Sequence, residues 1–403
     1  MISTAVAGDF GSRRLPSVAQ MVARLRPDEP LHCVRPAALA EGAAAFGAAF
    51  PGEVLYAVKC NPDPPVLRAL WAGGVRHFDV ASLAEIQLVH RLFPEAGLHY
   101  MHPVKARSAI AAAYHHYGVR DFALDGLDEL VKLRQETGGA DDLGLMVRLA
   151  LPRSDDAVND LSGKFGASPA EAVTLLQAAR AVGRRVGLTF HVGSLCLVPA
   201  AYERALTLAR PVLAEAGVAL DVLDVGGGFP VAYPGLAPPP LPAFVEAIRR
   251  GLAGLDLPAS CRLWCEPGRA LAAVGVSVVV RVIRRRGRDL FITDGLYGSF
   301  ADAILSHICY PARLIRLDAE SQAPLEPFSL LGPTCDSLDR LPGPFLVPDD
   351  VTEGDWIEFG QLGAYGASLR TGFNGFERAP VALVGDPPLW AAARPETPLV
   401  RVA

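Results

Sequence analysis

Eight short apolar runs, each followed by a stretch with helical spacing, constrain this chain more than any other feature of it. The runs begin near Val54, Arg76, Leu98, Asp121, Leu143, Gly187, Leu220 and Arg262, and Ala/Leu-rich segments such as Ser82 to Leu92 and Pro199 to Ala216 fill most of the gaps. Eight strands alternating with helices is the count for a closed (β/α)8 barrel of the TIM type, an α/β fold. An open doubly wound sheet is the competing reading on pattern alone.

Three intervals break the rhythm. Leu151 to Ser168 is rich in Pro, Ser, Asp, Asn and Gly, which reads as a mobile loop or lid beside the barrel mouth. Phe229 to Pro242 carries six prolines, too many for a helix or central strand, and reads as a surface excursion. After about Ala273 the helical pattern gives way to β-branched and alternating runs, among them Val274 to Ile283, Leu290 to Thr293, Arg313 to Leu317 and Trp356 to Phe359. A chain of 403 residues also exceeds one compact core. The expected division is therefore a barrel over 36–273 and an all-β domain from 274–403. That second domain also takes in 1–35, read as a polar segment with a short strand, Leu31 to Val34.

Apolar residues make up 51% of the chain and charged ones 20%, enough for a large interior and too apolar for disorder. The net charge of −5 gives no reason to expect nucleic acid or an anionic membrane as partner. No signal-peptide pattern or membrane-length apolar run is present, so a soluble, cytoplasmic protein is expected. Seven cysteines, with no CxxC and no metal-ligand cluster, read as reduced thiols. Six fit core positions, and Cys335 is singled out below.

Polar and glycine residues collect at the C-terminal ends of the candidate strands, where α/β barrels carry out their chemistry. Lys59 closes the run Tyr56-Ala57-Val58-Lys59; among apolar neighbours its pKa is expected to fall, making it a nucleophile. Asp79, Arg148, His191-Val-Gly-Ser194, Gly226-Gly227-Gly228 and Glu266-Pro-Gly268-Arg269 share that edge. Each has a bland reading: a surface lysine, a simple glycine turn, a structural histidine, a solvated glutamate, an arginine paired inside the barrel. Together they describe a site for pyridoxal 5'-phosphate. Lysine takes the aldehyde, glycine N–H groups cradle the phosphate, His191 stacks on the ring, and an ionised Glu266 keeps the ring nitrogen protonated.

The segments YAVKCN (56–61), FDVAS (78–82), FHVGS (190–194), LDVGGGFP (223–230), EPGR (266–269), DGLYGSF (294–300), GPTCDSLD (332–339) and FNGF (373–376) occur in an order that resembles the eukaryotic-type ornithine decarboxylase family. This is the fold type III, alanine-racemase-like class of pyridoxal phosphate enzymes. The resemblance implies Lys59 as the Schiff-base lysine, His191 as the stacking residue and Glu266 as the pyridinium partner. It implies phosphate contacts from Ser194, Gly228, Gly268, Arg269 and Tyr365, with Asp79, Glu85 and Arg148 supporting the lysine and ring. It also implies a homodimer with shared sites, in which Cys335 crosses over to protonate the substrate Cα and Asp336 binds its distal amine. Phe373 of the FNGF segment joins the substrate side, and Lys164-Phe165-Gly166 resembles the family's gating loop.

The chain departs from that family at three points. Leu305-Ser306 stands where a Tyr-Asp pair is expected, so one recognition carboxylate is missing, with Asp302 or Ser306 as possible substitutes. Ser337 and Leu195 each stand where a glycine is expected. The implied activity is a carboxy-lyase reaction on a basic L-amino acid, ornithine ahead of lysine, of the kind that feeds polyamine synthesis. A diaminopimelate-like substrate, or a non-catalytic relative resembling antizyme inhibitors, are the alternatives. No metal is expected.

Overall fold

The computed structural model describes residues 15–389; the outermost parts of the second domain expected from sequence, 1–14 and 390–403, lie outside them. The first strand, β1 (Leu31–Val34), precedes the barrel. The barrel itself is built from β2 (Glu53–Ala57), β3 (His77–Val80), β4 (Gly97–Tyr100), β5 (Asp121–Leu124) and β6 (Gly144–Arg148). It then continues, past a strand outside it, β7 (Ala157–Asn159), into β8 (Arg185–Thr189). Past another outside strand, β9 (Ser194–Cys196), come β10 (Val222–Asp224) and β11 (Arg262–Cys265). The eight barrel strands pair in parallel and the ring closes through β11 onto β2, so the closed barrel holds and the open sheet falls. Leu55, Met101, Ala123, Met146, Val222 and Trp264 fill its interior, while a larger apolar layer joins strands to helices.

After the helical turn Arg269–Ala272 the chain enters a second, mostly β, unit. Its strands are β12 (Val276–Arg286), β13 (Asp289–Ile292), β14 (Ala312–Ile315), β15 (Leu325–Leu331), β16 (Phe345–Pro348), β17 (Trp356–Phe359) and β18 (Val381–Leu383). The N-terminal β1 is hydrogen-bonded between β12 and β18. The unit is not all-β. Helix Val18–Leu25, closed by a reciprocal Ser17/Gln20 capping box, packs Val18, Met21 and Val22 on Leu31, Cys33 and Val279. A Ser-x-x-Gln start ahead of an apolar repeat was the signal for this helix in a stretch read as polar. A short helix, Ala301–Leu305, follows the YGSF segment.

Two of the irregular intervals hold more structure than their composition suggests. Within 151–168, β7 pairs antiparallel with β9, because Ala157 and Val158 reach the two apolar clusters on either side. In the proline-rich excursion Tyr233 is buried rather than exposed, bonded through its backbone to Leu236 and through its hydroxyl to Arg269. Among the described residues no helix is long and apolar enough to cross a membrane, and all seven cysteines are free thiols.

Candidate active site

Strand β2 runs into a single 3-10 turn, Val58–Cys60, that lifts Lys59 between two fully buried neighbours. The turn is held from the second domain. Tyr365 N–H donates to the Cys60 carbonyl at 2.8 Å, and the Asn61 amide donates to the Gly363 carbonyl at 2.9 Å. The Lys59 side chain stays 47% exposed, with Nζ 3.7 Å from Asp79 Oδ2 on the adjoining β3. Burial acts to lower its pKa, but Asp79, then Tyr365 and Glu266, outweigh burial and the opposing Arg148, so the net shift is upward. This corrects the expected fall: the neighbours that matter are acids, and the amine is held as a cation.

Glu266 follows β11 and Asp224 ends the neighbouring β10; backbone bonds from Val225 N to Trp264 O and from Glu266 N to Gly226 O fix their strand ends together. Both carboxyls are buried, and they lie close enough to influence each other's ionisation. Asp224 Oδ1 accepts from Gly226 N–H at 2.8 Å. Burial, reinforced by Asp79, raises the pKa of both carboxyls; Asp224 pushes Glu266 further, well above the carboxylate range, while Glu266 acts to lower Asp224. Two neighbouring buried acids with raised pKa values favour holding a proton between them. This direction runs against the ionised Glu266 expected from sequence. Asp224 was missed in sequence, although an acid on the interior face of a barrel strand, two residues from Val222, marked it. Glu85, in the helix after β3, accepts from Ala81 N–H at 2.6 Å; burial is the leading cause that lifts it to about 6.

His191 lies just past β8, half-buried, and its Nδ1 accepts from Gly193 N–H at 3.0 Å, which places the ring proton on Nε2. Burial, then Arg148 and Lys59, press its pKa well down, so the ring is neutral. Arg148, at the end of β6, makes no side-chain hydrogen bond or ion pair among the described residues. The glycine run opposite is sterically required. At Gly228, with φ of +104°, a Cβ would sit 2.5 Å from the Gly193 carbonyl oxygen, and at Gly227 it would sit 2.9 Å from His191 Nε2. Ser194 begins β9 beside this turn. Leu195, which stands where glycine was expected, takes a left-handed φ of 55° and is held there by burial in the second domain's core.

Gly268 packs on Cys60, leaving no space for a Cβ, and starts the turn that carries Arg269. Arg269 is buried and its guanidinium lies 5.1 Å from the ring of Tyr365, itself held at φ 62° and pushed by burial up to about 12. Arg269 Nε is buried with no partner. Glycines that a side chain would block, a spare buried N–H donor and a lysine among acids suit a phosphorylated aldehyde such as pyridoxal phosphate.

The structure brings Lys59, Asp79, Glu85, Arg148, His191, Ser194, Gly226, Gly227, Gly228, Glu266, Gly268, Arg269 and Tyr365 to one barrel end. It does not bring in Cys335, Asp336 or Phe373: among the described residues no hydrogen bond or ion pair joins them to that cluster. Asp336 instead accepts from the Tyr297 hydroxyl, which with Leu338 N–H holds its carboxyl below the usual range. Phe373 lies against Tyr297 with ring centroids 4.6 Å apart. Asp302 and Ser306 are both buried, and Asp302 is paired with Arg269 rather than solvated or open to a substrate.

The family model described as pyridoxal-dependent decarboxylase, pyridoxal binding domain, matches residues 37–273. A lysine/ornithine decarboxylase of Selenomonas ruminantium is 38% identical over 349 residues, covering 84% of this chain and 85% of that one. Among solved structures, the lysine/ornithine decarboxylase of Vibrio vulnificus complexed with cadaverine superposes with a TM-score of 0.79 at 32% identity, over 92% of this chain and 98% of that one. A mutant of the SrLDC protein in complex with PLP superposes with a TM-score of 0.80 at 32% identity, over 92% and 96%.

Proposed function

Because this chain belongs to the family of pyridoxal-dependent decarboxylases, we propose that it removes the α-carboxyl group of a basic L-amino acid, ornithine ahead of lysine, releasing CO2 and a diamine. The observation that carries this reading is the two-ended barrel mouth. Lys59 stands beside Asp79 and within the electrostatic reach of Glu266, and the glycine turn with Arg269 forms the other end.

In this reading Lys59 carries the cofactor's aldehyde, while Ser194, Gly226 to Gly228, Gly268, Arg269 and Tyr365 hold its phosphate. When bound, pyridoxal phosphate supplies the electron sink for the pair left at Cα as CO2 departs. The chain's own residues do the rest. Neutral His191 offers an uncharged aromatic face, and the Glu266–Asp224 pair keeps a proton at the ring-nitrogen end. Asp79, Glu85 and Arg148 set the charge around the lysine.

Cys335 and Asp336 enter from a second copy of the chain in this reading, Cys335 returning a proton to Cα and Asp336 pairing with the distal ammonium. Exposed Leu338, Phe373 and Phe376 beside them support a homodimer face. Free thiols support a reducing compartment, the cytoplasm. A second reading, a diamino acid with a modified distal end, is favoured by one observation: Ser306 is neutral and Asp302 is engaged, which leaves Asp336 as the single distal acid.

The test is CO2 release measured across ornithine, lysine, arginine, diaminopimelate and shorter diamino acids. Turnover of ornithine with lysine second supports the first reading. Preference for diaminopimelate selects the second, and no turnover of any sinks both.

A further inference from the structure

We propose that Asp302 is a counter-ion built into the chain for Arg269, sharing that guanidinium with the phosphate group the site takes. This rests on the phosphate assignment above and deepens it. Arg269 Nη1 donates to Asp302 Oδ2 at 2.6 Å and Nη2 to Oδ1 at 3.3 Å, with both side chains 4% exposed. Ser306 Oγ donates to Asp302 Oδ1 at 2.7 Å and accepts from Asn159 of β7 at 2.8 Å. The Tyr233 hydroxyl takes a further bond from Nη1 at 3.0 Å. Both ends of the guanidinium fork are committed, and Nε alone is left, buried and unpartnered.

Two consequences follow from charge alone. To meet a substrate ammonium, Asp302 would have to leave a cation unpaired in a buried setting, so it serves the phosphate end and positions Arg269. An arriving phosphate meets a pair whose charges already cancel and gains one charge-assisted hydrogen bond rather than a free cation. Phosphate affinity is thus moderated by the chain's own acid, placed on Ala301–Leu305 of the second domain.

Asp302→Asn keeps the shape and removes the charge. Without anion, the variant apoprotein should melt below the wild type. Inorganic phosphate should raise its melting temperature by about 2–4 °C more than it raises the wild type's. The pyridoxal phosphate dissociation constant, read from cofactor absorbance, should fall on the order of tenfold, and the amino-acid KM should not move. In Asp302→Asn combined with Arg269→Gln, the extra phosphate response should vanish. If Asp302→Asn is recovered only with phosphate in the buffer, that dependence is the same result; failure of phosphate to rescue it overturns the proposal. An equal phosphate response in both proteins overturns it too, as does a raised KM with unchanged cofactor affinity. A wild type that takes up no pyridoxal phosphate would instead refute the cofactor reading, and the inorganic phosphate arm would still decide this one.

Discussion

Lys59 Nζ lies 3.7 Å from Asp79 Oδ2, and that acid is the largest of the influences that hold the amine protonated against burial. An amine must shed its proton before it can attack an aldehyde, so Asp79 both stores the charge and delays the reaction.

Lys59→Ala removes the group that would carry the cofactor. Apoprotein given pyridoxal phosphate should show no visible band from a lysine-bound form and no CO2 release. Asp79→Asn should take up the cofactor faster than the wild type near neutral pH, because its lysine gives up a proton more readily. An unchanged spectrum in Lys59→Ala would remove residue 59 from the chemistry.

The Glu266–Asp224 pair makes a pH prediction. Burial first, then Asp79 for both and Asp224 for Glu266, raise the two folded pKa values above the range of about 4 found in an unfolded chain. Stability from a raised acid is fully present below the unfolded value and is lost as pH rises through the folded one. Urea midpoints of the apoprotein should therefore fall as pH rises above the unfolded carboxylate range of about 4, and those of Glu266→Gln should fall less. Parallel pH profiles would mean that the pair holds no proton.

The barrel was legible because each of its strands is a compact apolar run with a helix behind it, and such local signals survive in sequence. What the sequence hid depends on who faces whom across strands. Lys59 looked apolar-flanked along the chain, yet Asp79 and Glu266 arrive from other strands and reverse its shift. Asp224 reads as one acid in a strand, and its significance appears only with Glu266 beside it. Tyr233 sits in a proline-rich stretch whose composition says surface, until Arg269, 36 residues on, supplies the donor that anchors it. Leu195 was legible as a departure from glycine, but only the fold shows that the position kept the left-handed backbone a glycine would take freely.

Gly228 tests the phosphate cradle. A Cβ there meets the Gly193 carbonyl oxygen at 2.5 Å with φ at +104°, whereas at Gly217, φ +61°, nothing lies within 4 Å. Gly228→Ala should lose about 1–3 kcal/mol in strain and release the cofactor more readily, while Gly217→Ala should cost about 1–2 kcal/mol and leave cofactor retention alone. Thermal melts and dialysis against buffer, read by cofactor absorbance, separate the two. Equal cofactor loss in both would move the phosphate away from this turn.

Whether the catalytic set is split between two chains can be read from mixed variants. Cys335 N–H is fixed by Asn374 Oδ1 at 3.0 Å, in a region with exposed Leu338, Phe373 and Phe376, and no bond ties it to Lys59 within the chain. If the sites are shared, Lys59→Ala and Cys335→Ala are each inactive alone, but a mixed dimer has one site with both native residues and one with neither. Random pairing makes half the dimers mixed, each with one of two sites intact, so CO2 release should recover to about a quarter of the wild-type rate. If instead each chain builds its own site, every site lacks one group or the other and the mixture stays inactive. That outcome would place Cys335 outside a shared site, and the proposed dimer would lose its catalytic reason.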